Sequence, residues 1–449
     1  MYNQLDTTTT IVAPATATGG AVMVIRLSGD KAIDIADKMF RGKHPLCEAK
    51  GYTLHYGTIV NSCEQTIDDV VVALFRAPHS YTGDDTVEIT IHGSEYITAE
   101  VIRLAIENGA TMAMPGEFTR RAFLAGKMDL SRAEAVADII AADSQWSHSV
   151  ASTQMRGGYS AKLAHLRNEL LRLCSLLELE LDFSEEDVEF ADRTTLLNTL
   201  NDIGAQIESL TQSFTLGNVL KNGISVAIVG EPNVGKSTLL NALIEDDRAI
   251  VSDIAGTTRD TIEATTTIDG IRYRFIDTAG IRTTEDRLEQ MGIDRSCRAM
   301  EKANIVLHIA SADNPTFAPI ETSNTQHYIR VINKIDTVTS SADLDANAIQ
   351  ISTKRNLGID DLRKAIRTTT DTAQLSAGSI VVSNMRHYAA LKSASEALAD
   401  ARRSMTANTP SDLLSEDIRR IIHHLGEITG EITTTDILQT IFSQFCIGK

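Results

Sequence analysis

The stretch Gly230-Glu-Pro-Asn-Val-Gly-Lys236-Ser237 constrains this chain more than any other. It fits G-x-x-x-x-G-K-[ST], a glycine-rich turn whose backbone N–H groups wrap the phosphates of a nucleoside triphosphate. Asn233, Val234 and Gly235 form the turn, Lys236 is placed to reach the β and γ phosphates, the Ser237 hydroxyl suits Mg²⁺, and Thr238 begins the next element. The apolar run from Ile224 to Val229 predicts a buried strand entering the turn, and Thr238 to Leu243 a helix leaving it. That is the context the motif requires in a doubly wound α/β sheet.

A chain of 449 residues is too long for one core, so two to four domains are expected. Its charged and hydrophobic fractions are those of an ordinary globular protein, but the net charge of −18 excludes a general basic surface for nucleic acid. Any RNA contact must then be local, or shared with a partner. Cys47, Cys63, Cys174, Cys297 and Cys446 are scattered and contain no C-x-x-C pair. They suggest a reducing compartment, with neither a disulfide framework nor a zinc site. With no cationic flank before a long apolar run, and no apolar run of about 18 residues, the expectation is a cytoplasmic protein without a membrane span.

Taken in order, the chain begins as mixed α/β. Ala21–Leu27, Val70–Phe75 and Thr86–Ile91 predict strands, while Asp30–Phe40 and Ser94–Glu107 have helical spacing. Two polar joints, Ser80–Asp84 and Met114–Phe118, read as turns. Helix then takes over, with Ser131-Arg-Ala-Glu134 as a candidate capping box. Leucine stripes follow at Leu163 to Leu177 and at Leu196 to Phe214. The helical pattern returns after the nucleotide segment, from Leu414 to Leu425 and from Ile437 to Phe445. Two arrangements fit: one bundle with a nucleotide domain inserted into it, or two helical domains in series.

The nucleotide is read from three further segments. Asp277, Thr278, Ala279 and Gly280 follow a predicted strand, where an aspartate can hold the metal through water and a glycine N–H can meet the γ phosphate. Asn333, Lys334 and Asp336 follow another. Guanine presents N1–H and N2–H₂ donors that one carboxylate accepts together, whereas adenine has an acceptor at N1, so Asp336 selects guanine. Ser352, Thr353 and Lys354 close the base site. Between these segments Ser252, Asp253, Ile254, Ala255, Gly256, Thr257 and Thr258 form a candidate switch, Thr258 being the hydroxyl that would join Ser237 on Mg²⁺. Ile281 stands where many GTPases carry a water-orienting glutamine, so hydrolysis needs other help. Glu289 could act through a bridging water, or belong to a solvated acidic helix face.

With these motifs in place, the whole chain resembles the tRNA-modification GTPases (MnmE, also called TrmE). Besides the GTPase motifs, the resemblance is carried by Thr10–Ala13, Tyr81–Asp85, Pro115–Phe118, Arg121–Leu124, Leu181–Phe183 and the terminal Phe445-Cys-Ile-Gly-Lys449. It implies a multi-domain α/β and all-α protein. The parts would be an N-terminal α/β folate-binding and dimerisation domain (1–119), a discontinuous helical domain (120–220 and 376–449) and an inserted Ras-like doubly wound GTPase domain (221–375). Such proteins work with an FAD-dependent partner, MnmG (GidA), in a heterotetramer or larger assembly. They add a carboxymethylaminomethyl or aminomethyl group to C5 of the wobble uridine (U34) of certain tRNAs, drawing one carbon from a 5,10-methylene- or 5-formyl-tetrahydrofolate.

Folate contacts carry over onto Arg26, Glu88, Lys127 and Lys449, and the end motif places the thiol of Cys446 near that site. The resemblance also implies a homodimer whose GTPase domains meet in a potassium-dependent way, with Asn233, Ser252, Ile254 and Thr257 around the ion and Glu289 orienting water. Glu289, Lys236 and Thr258 are then the catalytic set. FAD would belong to the partner only. Cys446-Ile-Gly-Lys449 is not a lipidation box, because Gly448 is not aliphatic. A different class, a ribosome-assembly switch, fits the GTPase motifs but would need a basic RNA-binding appendage that the sequence lacks.

Overall fold

The computed structural model describes residues 9–182, 193–245, 264–276, 300, 303–320, 326–338, 345–369, 380–407 and 409–449. These divide into two compact units, one of residues 1–137, 154–200 and 393–449, the other of residues 138–153 and 201–392.

In the first unit the described residues form a seven-stranded sheet. Its strands are β1 (Ile11–Pro14), β2 (Val22–Ser28), β3 (Phe40–Gly42), β4 (Thr53–Val60), β5 (Thr66–Phe75), β6 (Thr86–His92) and β7 (Thr111–Met112), in the order β3-β4-β5-β6-β2-β1-β7. Helices α1 (Ala32–Met39) and α2 (Glu95–Glu107) cover one face. Strands β2, β5 and β6 alternate, sending Met23, Ile25, Leu27, Val70, Val72, Leu74, Val87 and Ile89 into one core with Ile35, Met39, Val101 and Leu104 from the helices. Ser94 caps α2, its side chain accepting from Ile97 N. The antiparallel register of β2 and β6 sets Arg26 opposite Glu88, so the two side chains share a face of the sheet. Strand β4 escapes the sequence pattern because its first apolar side chains point outward: Leu54 and Tyr56 are more than 70% exposed, while Gly57 is buried along with Ile59 and Val60.

Helices α3 (Glu117–Leu124), α4 (Leu130–Ala141), α5 (Gln145–Met155), α6 (Gly158–Asp182) and α7 (Arg193–Asn222) follow. The start of α4 corrects the expected capping box. Asp129, rather than Ser131, is the cap: its Oδ1 accepts from Arg132 N at 3.0 Å and from Ser131 Oγ at 2.8 Å, and Ser131 is already helical and buried. The stripe expected on α6 is its buried face, Leu163, Leu166, Leu170, Leu173 and Leu177.

The second unit holds a six-stranded sheet made of β8 (Ile224–Gly230), β9 (Ala264–Ile268), β10 (Ile271–Ile276), β11 (Ile305–Ser311), β12 (His327–Asn333) and β13 (Ile349–Gln350), in the order β13-β12-β11-β8-β10-β9. All neighbours run parallel except β9 with β10. Helices α8 (Lys236–Glu245) and α9 (Ile359–Thr368) pack on it through Leu239, Leu243, Leu362 and Ile366. A sheet covered on both faces needs continuous apolar strands, and the first six residues of β8 are all buried. The carboxyl ends of β8 and β12 therefore lie on one edge, where open α/β sheets bind ligands.

Helices α10 (Met385–Thr406), α11 (Ser411–Thr429) and α12 (Thr435–Ser443) complete the chain. In the first unit α11 lies along α6 and buries Leu414, Ile418, Ile421, Leu425 and Ile428. Among the described residues no helix is long and apolar enough to cross a membrane.

Candidate functional site

The nucleotide motif forms the turn between β8 and α8 in the second unit. Gly235 sits at φ +98°, and a Cβ there would lie 2.4 Å from Asn333 Nδ2, so both the backbone conformation and the close approach demand glycine. Asn233 is also left-handed, at φ +63°, and exposed. Val234 is buried and pins the turn to the core. Lys236 Nζ donates to Gly230 O at 2.7 Å and Glu231 O at 2.9 Å. Burial pushes the Lys236 pKa below the ordinary lysine value. Among the described residues this half-buried ammonium is held by carbonyl oxygens, which suits it to an incoming anion. Ser237 and Thr238, in the first turn of α8, are exposed beside it.

The candidate base-site residues Asn333, Asp336, Ser352 and Thr353 come together. Asn333, 1% exposed, ties the two loops: its Nδ2 donates to Val234 O at 2.9 Å, and its Oδ1 accepts from Thr353 N at 3.1 Å. Lys334 takes the left-handed conformation at φ +65°. Asp336 Oδ1 accepts from the buried Ser352 Oγ at 2.5 Å, a bond that holds the carboxyl below the usual carboxylate range. Ser352 Oγ also accepts from Arg355 N at 3.2 Å. Lys354 is exposed at the rim. Asp336 is thus an ionised, oriented acceptor, as recognition of guanine donors requires. Ser252, Asp253, Ile254, Ala255, Gly256, Thr257, Thr258, Asp277, Thr278, Ala279, Gly280 and Glu289 lie outside the described residues.

A second constellation is built in the first unit. Arg26 Nε donates to Glu88 Oε1 at 2.8 Å, and its Nη1 donates to Gly448 O at 3.0 Å. The rings of Tyr81 and Phe118 flank its guanidinium, with centroids 5.8 and 5.5 Å away. Tyr81 OH is hydrogen-bonded to Thr119 Oγ1 at 2.9 Å, and burial raises its pKa. Gly448 sits at φ +95°, where a Cβ would fall 2.0 Å from Pro14 O; only glycine brings the chain terminus this close to β1. The tail is also held where Cys446 O accepts from Gly116 N at 3.3 Å. The thiol of Cys446 is exposed and Lys449 partly so. Lys127 Nζ donates to Pro78 O, at the base of the Ser80–Asp84 loop.

Arg26 and Glu88 are therefore brought together with the terminal segment, and Lys127 with the neighbouring loop. The sequence pattern did not reveal Tyr81 and Phe118 as partners of Arg26. The signal was present: each lies in one of the two polar joints that read as turns.

Two family descriptions match the chain, "MnmE helical domain" over residues 130–446 and "GTP-binding protein TrmE N-terminus" over residues 10–127. Relatives similar over nearly their whole length include the tRNA modification GTPase MnmE of Bacteroides fragilis, 48% identical over 98% of this chain and 99% of that protein. That of Bacteroides thetaiotaomicron is 47% identical over the same shares. The chain belongs to the MnmE family of tRNA modification GTPases. The multi-domain α/β and all-α fold is that of the family, and the loop, the buried Asn333 and the Ser352-oriented Asp336 form the candidate nucleotide site.

Proposed function

We propose that this chain couples GTP hydrolysis to modification of the wobble uridine at C5 in certain tRNAs. It would add a carboxymethylaminomethyl or aminomethyl group together with an FAD-dependent partner resembling MnmG. The observation that carries the reading is the chain's own terminus seated on the Arg26–Glu88 pair, which joins the terminal family signature to the predicted folate residues. Arg26 and Glu88, in contact with each other, supply donors and an acceptor for the pterin end of a folate, Lys127 a cation for its glutamate end, and the Tyr81 ring an apolar wall. Lys449 and Cys446, carried by Gly448, border the same place. Bound there, a 5,10-methylene- or 5-formyl-tetrahydrofolate would supply the one-carbon unit. The three-part organisation 1–119, 120–220 with 376–449, and 221–375 belongs to this proposal. Titrating 5-formyltetrahydrofolate into the full chain should give saturable binding that weakens about 10- to 100-fold in Arg26→Ala. No detectable binding by the parent chain would remove the folate role.

In the same reading Lys236 holds the β and γ phosphates, and Ser237 with Thr258 holds Mg²⁺, which would neutralise developing phosphate charge. Asn233, in its left-handed turn, with Ser252, Ile254 and Thr257, would hold K⁺ where an added positive charge favours the transition state. Glu289 orients water in place of the glutamine absent at Ile281. The complete site would form when two copies meet, and the exposed row Tyr52, Leu54 and Tyr56 offers a surface for a second copy. GTP turnover should be at least about tenfold faster in potassium than in sodium, rise with protein concentration, and fall in Glu289→Ala with GTP affinity kept. Equal rates in both salts at every concentration would remove the cation and the dimer from the mechanism.

A further inference from the structure

The turn that carries Asp336 is fastened to the rest of the second unit from two sides. On one side Ser352 Oγ donates to Asp336 Oδ1. The other side is built by residues 311–317, which follow β11 and lie outside the nucleotide motifs. Ala312 N donates to Asn333 O at 2.8 Å, so this segment is hydrogen-bonded to the backbone of the base motif itself. Ala312 is buried with Ile332 and Ala348, and Phe317, Ile335 and Val338 pack on the same cluster. The short 3₁₀ turn Ile335–Thr337 therefore rests, by its first residue and by Val338 just beyond its end, on a floor that the segment after β11 helps to form.

The polar contact between the two segments is chemically selective. Thr337 Oγ1 lies 2.8 Å from both Lys334 O and Asp313 Oδ1. A hydroxyl has one proton to give. Lys334 O already accepts from Thr337 N at 3.0 Å, and a carboxylate is the stronger acceptor, so the hydroxyl proton goes to Asp313. Asp313 is itself placed by its own segment: its Oδ2 accepts from Ser311 Oγ at 3.4 Å, and Asn314 N donates to Ser311 O at 3.0 Å, closing a turn around it. The backbone secured in this way does not hold itself. Lys334 is in the left-handed conformation at φ +65°, which a lysine keeps only where its surroundings over-determine it.

We propose that Asp313 and Thr337 are positioning residues of the guanine site. Their hydrogen bond ties the turn after β12 to the loop after β11 and fixes the angle at which Asp336 meets the base. Neither residue meets the base; both act through Asp336. The inference rests on the reading of Asp336 as the acceptor for guanine N1–H and N2–H₂. One carboxylate accepts two donors together only in a narrow range of orientations, so a loosened turn costs guanine more than a base that offers N1–H alone.

Affinities of the full chain for GDP and IDP test this, because hypoxanthine keeps N1–H and lacks the N2 amine. In Thr337→Val and in Asp313→Ala the GDP Kd should rise about 3- to 10-fold, the loss of one hydrogen bond, and the IDP Kd should rise less. The preference for GDP over IDP then shrinks. The double variant should lose no more than either single one, since both remove the same contact, and Thr337→Ser should bind like the parent. Both residues are exposed, circular dichroism checks each variant, and either single variant carries the test if the other does not fold. Equal weakening of both nucleotides, as a general loss of stability would produce, overturns the proposal. Asp336→Ala separates it from the reading beneath: if that variant binds GDP as the parent does, the base site lies elsewhere and the proposal falls with it. If Asp336→Ala loses GDP while the Thr337 and Asp313 variants keep the parent's affinities, the base site stands and the positioning pair is overturned.

Discussion

Replacing Lys236 with alanine lowers GTP turnover by about three orders of magnitude, near 4 kcal/mol of transition-state stabilisation, while the apo protein melts no earlier than the parent. The two halves of this result have one cause. Without nucleotide the ammonium is half-buried, donates among the described residues to Gly230 O and Glu231 O, and has its pKa pushed down by desolvation. Its charge is a cost to the folded state, so removing it does not destabilise. With a triphosphate present the same charge meets anionic oxygens in a partly desolvated loop, where electrostatic contacts are strongest. The sign with pH follows. A lysine whose folded pKa is lowered begins to lose its proton below the ordinary lysine value, so apo stability rises with pH across that alkaline window. Nucleotide affinity falls across it, because the bound phosphates need the proton back. Single-turnover hydrolysis and nucleotide titration across alkaline pH check both. Turnover within tenfold of the parent in Lys236→Ala would mean that this loop is not where the phosphates sit.

Glu117→Ala should destabilise the first unit by about 3–5 kcal/mol, lowering its melting transition by roughly 10 °C. Glu117 and Arg121 are 8% and 3% exposed and lie one helical turn apart on α3. Arg121 Nη2 donates to Glu117 Oε1 at 3.0 Å and its Nη1 to Thr9 O at 2.7 Å, while Glu117 Oε2 accepts from Met114 N at 2.8 Å. Removing the carboxylate leaves a buried guanidinium whose remaining countercharge, Asp84, stands at the longer distance of 3.8 Å. It also frees the Met114–Gly116 turn, whose Gly116 N holds Cys446 O. Hydrogen exchange should therefore quicken at residues 446–449 as well as at 114–118, and Glu117→Gln, which keeps an acceptor, should lose less. A calorimetric transition unmoved in Glu117→Ala would show that the pair contributes nothing net.

Much of the fold was legible because period and punctuation agree with burial. The run Ile224 to Val229 could only be a fully buried strand, and the leucines of α6 recur at the spacing of one helical face. Strand β4 was not legible, because Leu54 and Tyr56 face solvent and its buried positions include a glycine. Asp129 is not legible as the cap of α4 because Ser131 and Glu134 fit the capping box by spacing. At the candidate nucleotide site the residue types point to the proposed chemistry: a carboxylate suited to guanine, an ammonium suited to phosphate, and a glycine where Asn333 leaves no room for a side chain.

By itself the sequence determined the chemistry available at each motif, since spacing along the chain dictates which backbone turns form and which side chains they carry. Only the tertiary structure decided which motifs meet. Nothing local tells Arg26 that its partners are Glu88 across a strand pair and Gly448 at the far end of the chain. Nor does anything local tell Thr337 that its hydroxyl will meet Asp313. Such meetings follow from sheet register and from the burial of apolar faces, which act on the whole chain at once and leave no mark on any short stretch of it.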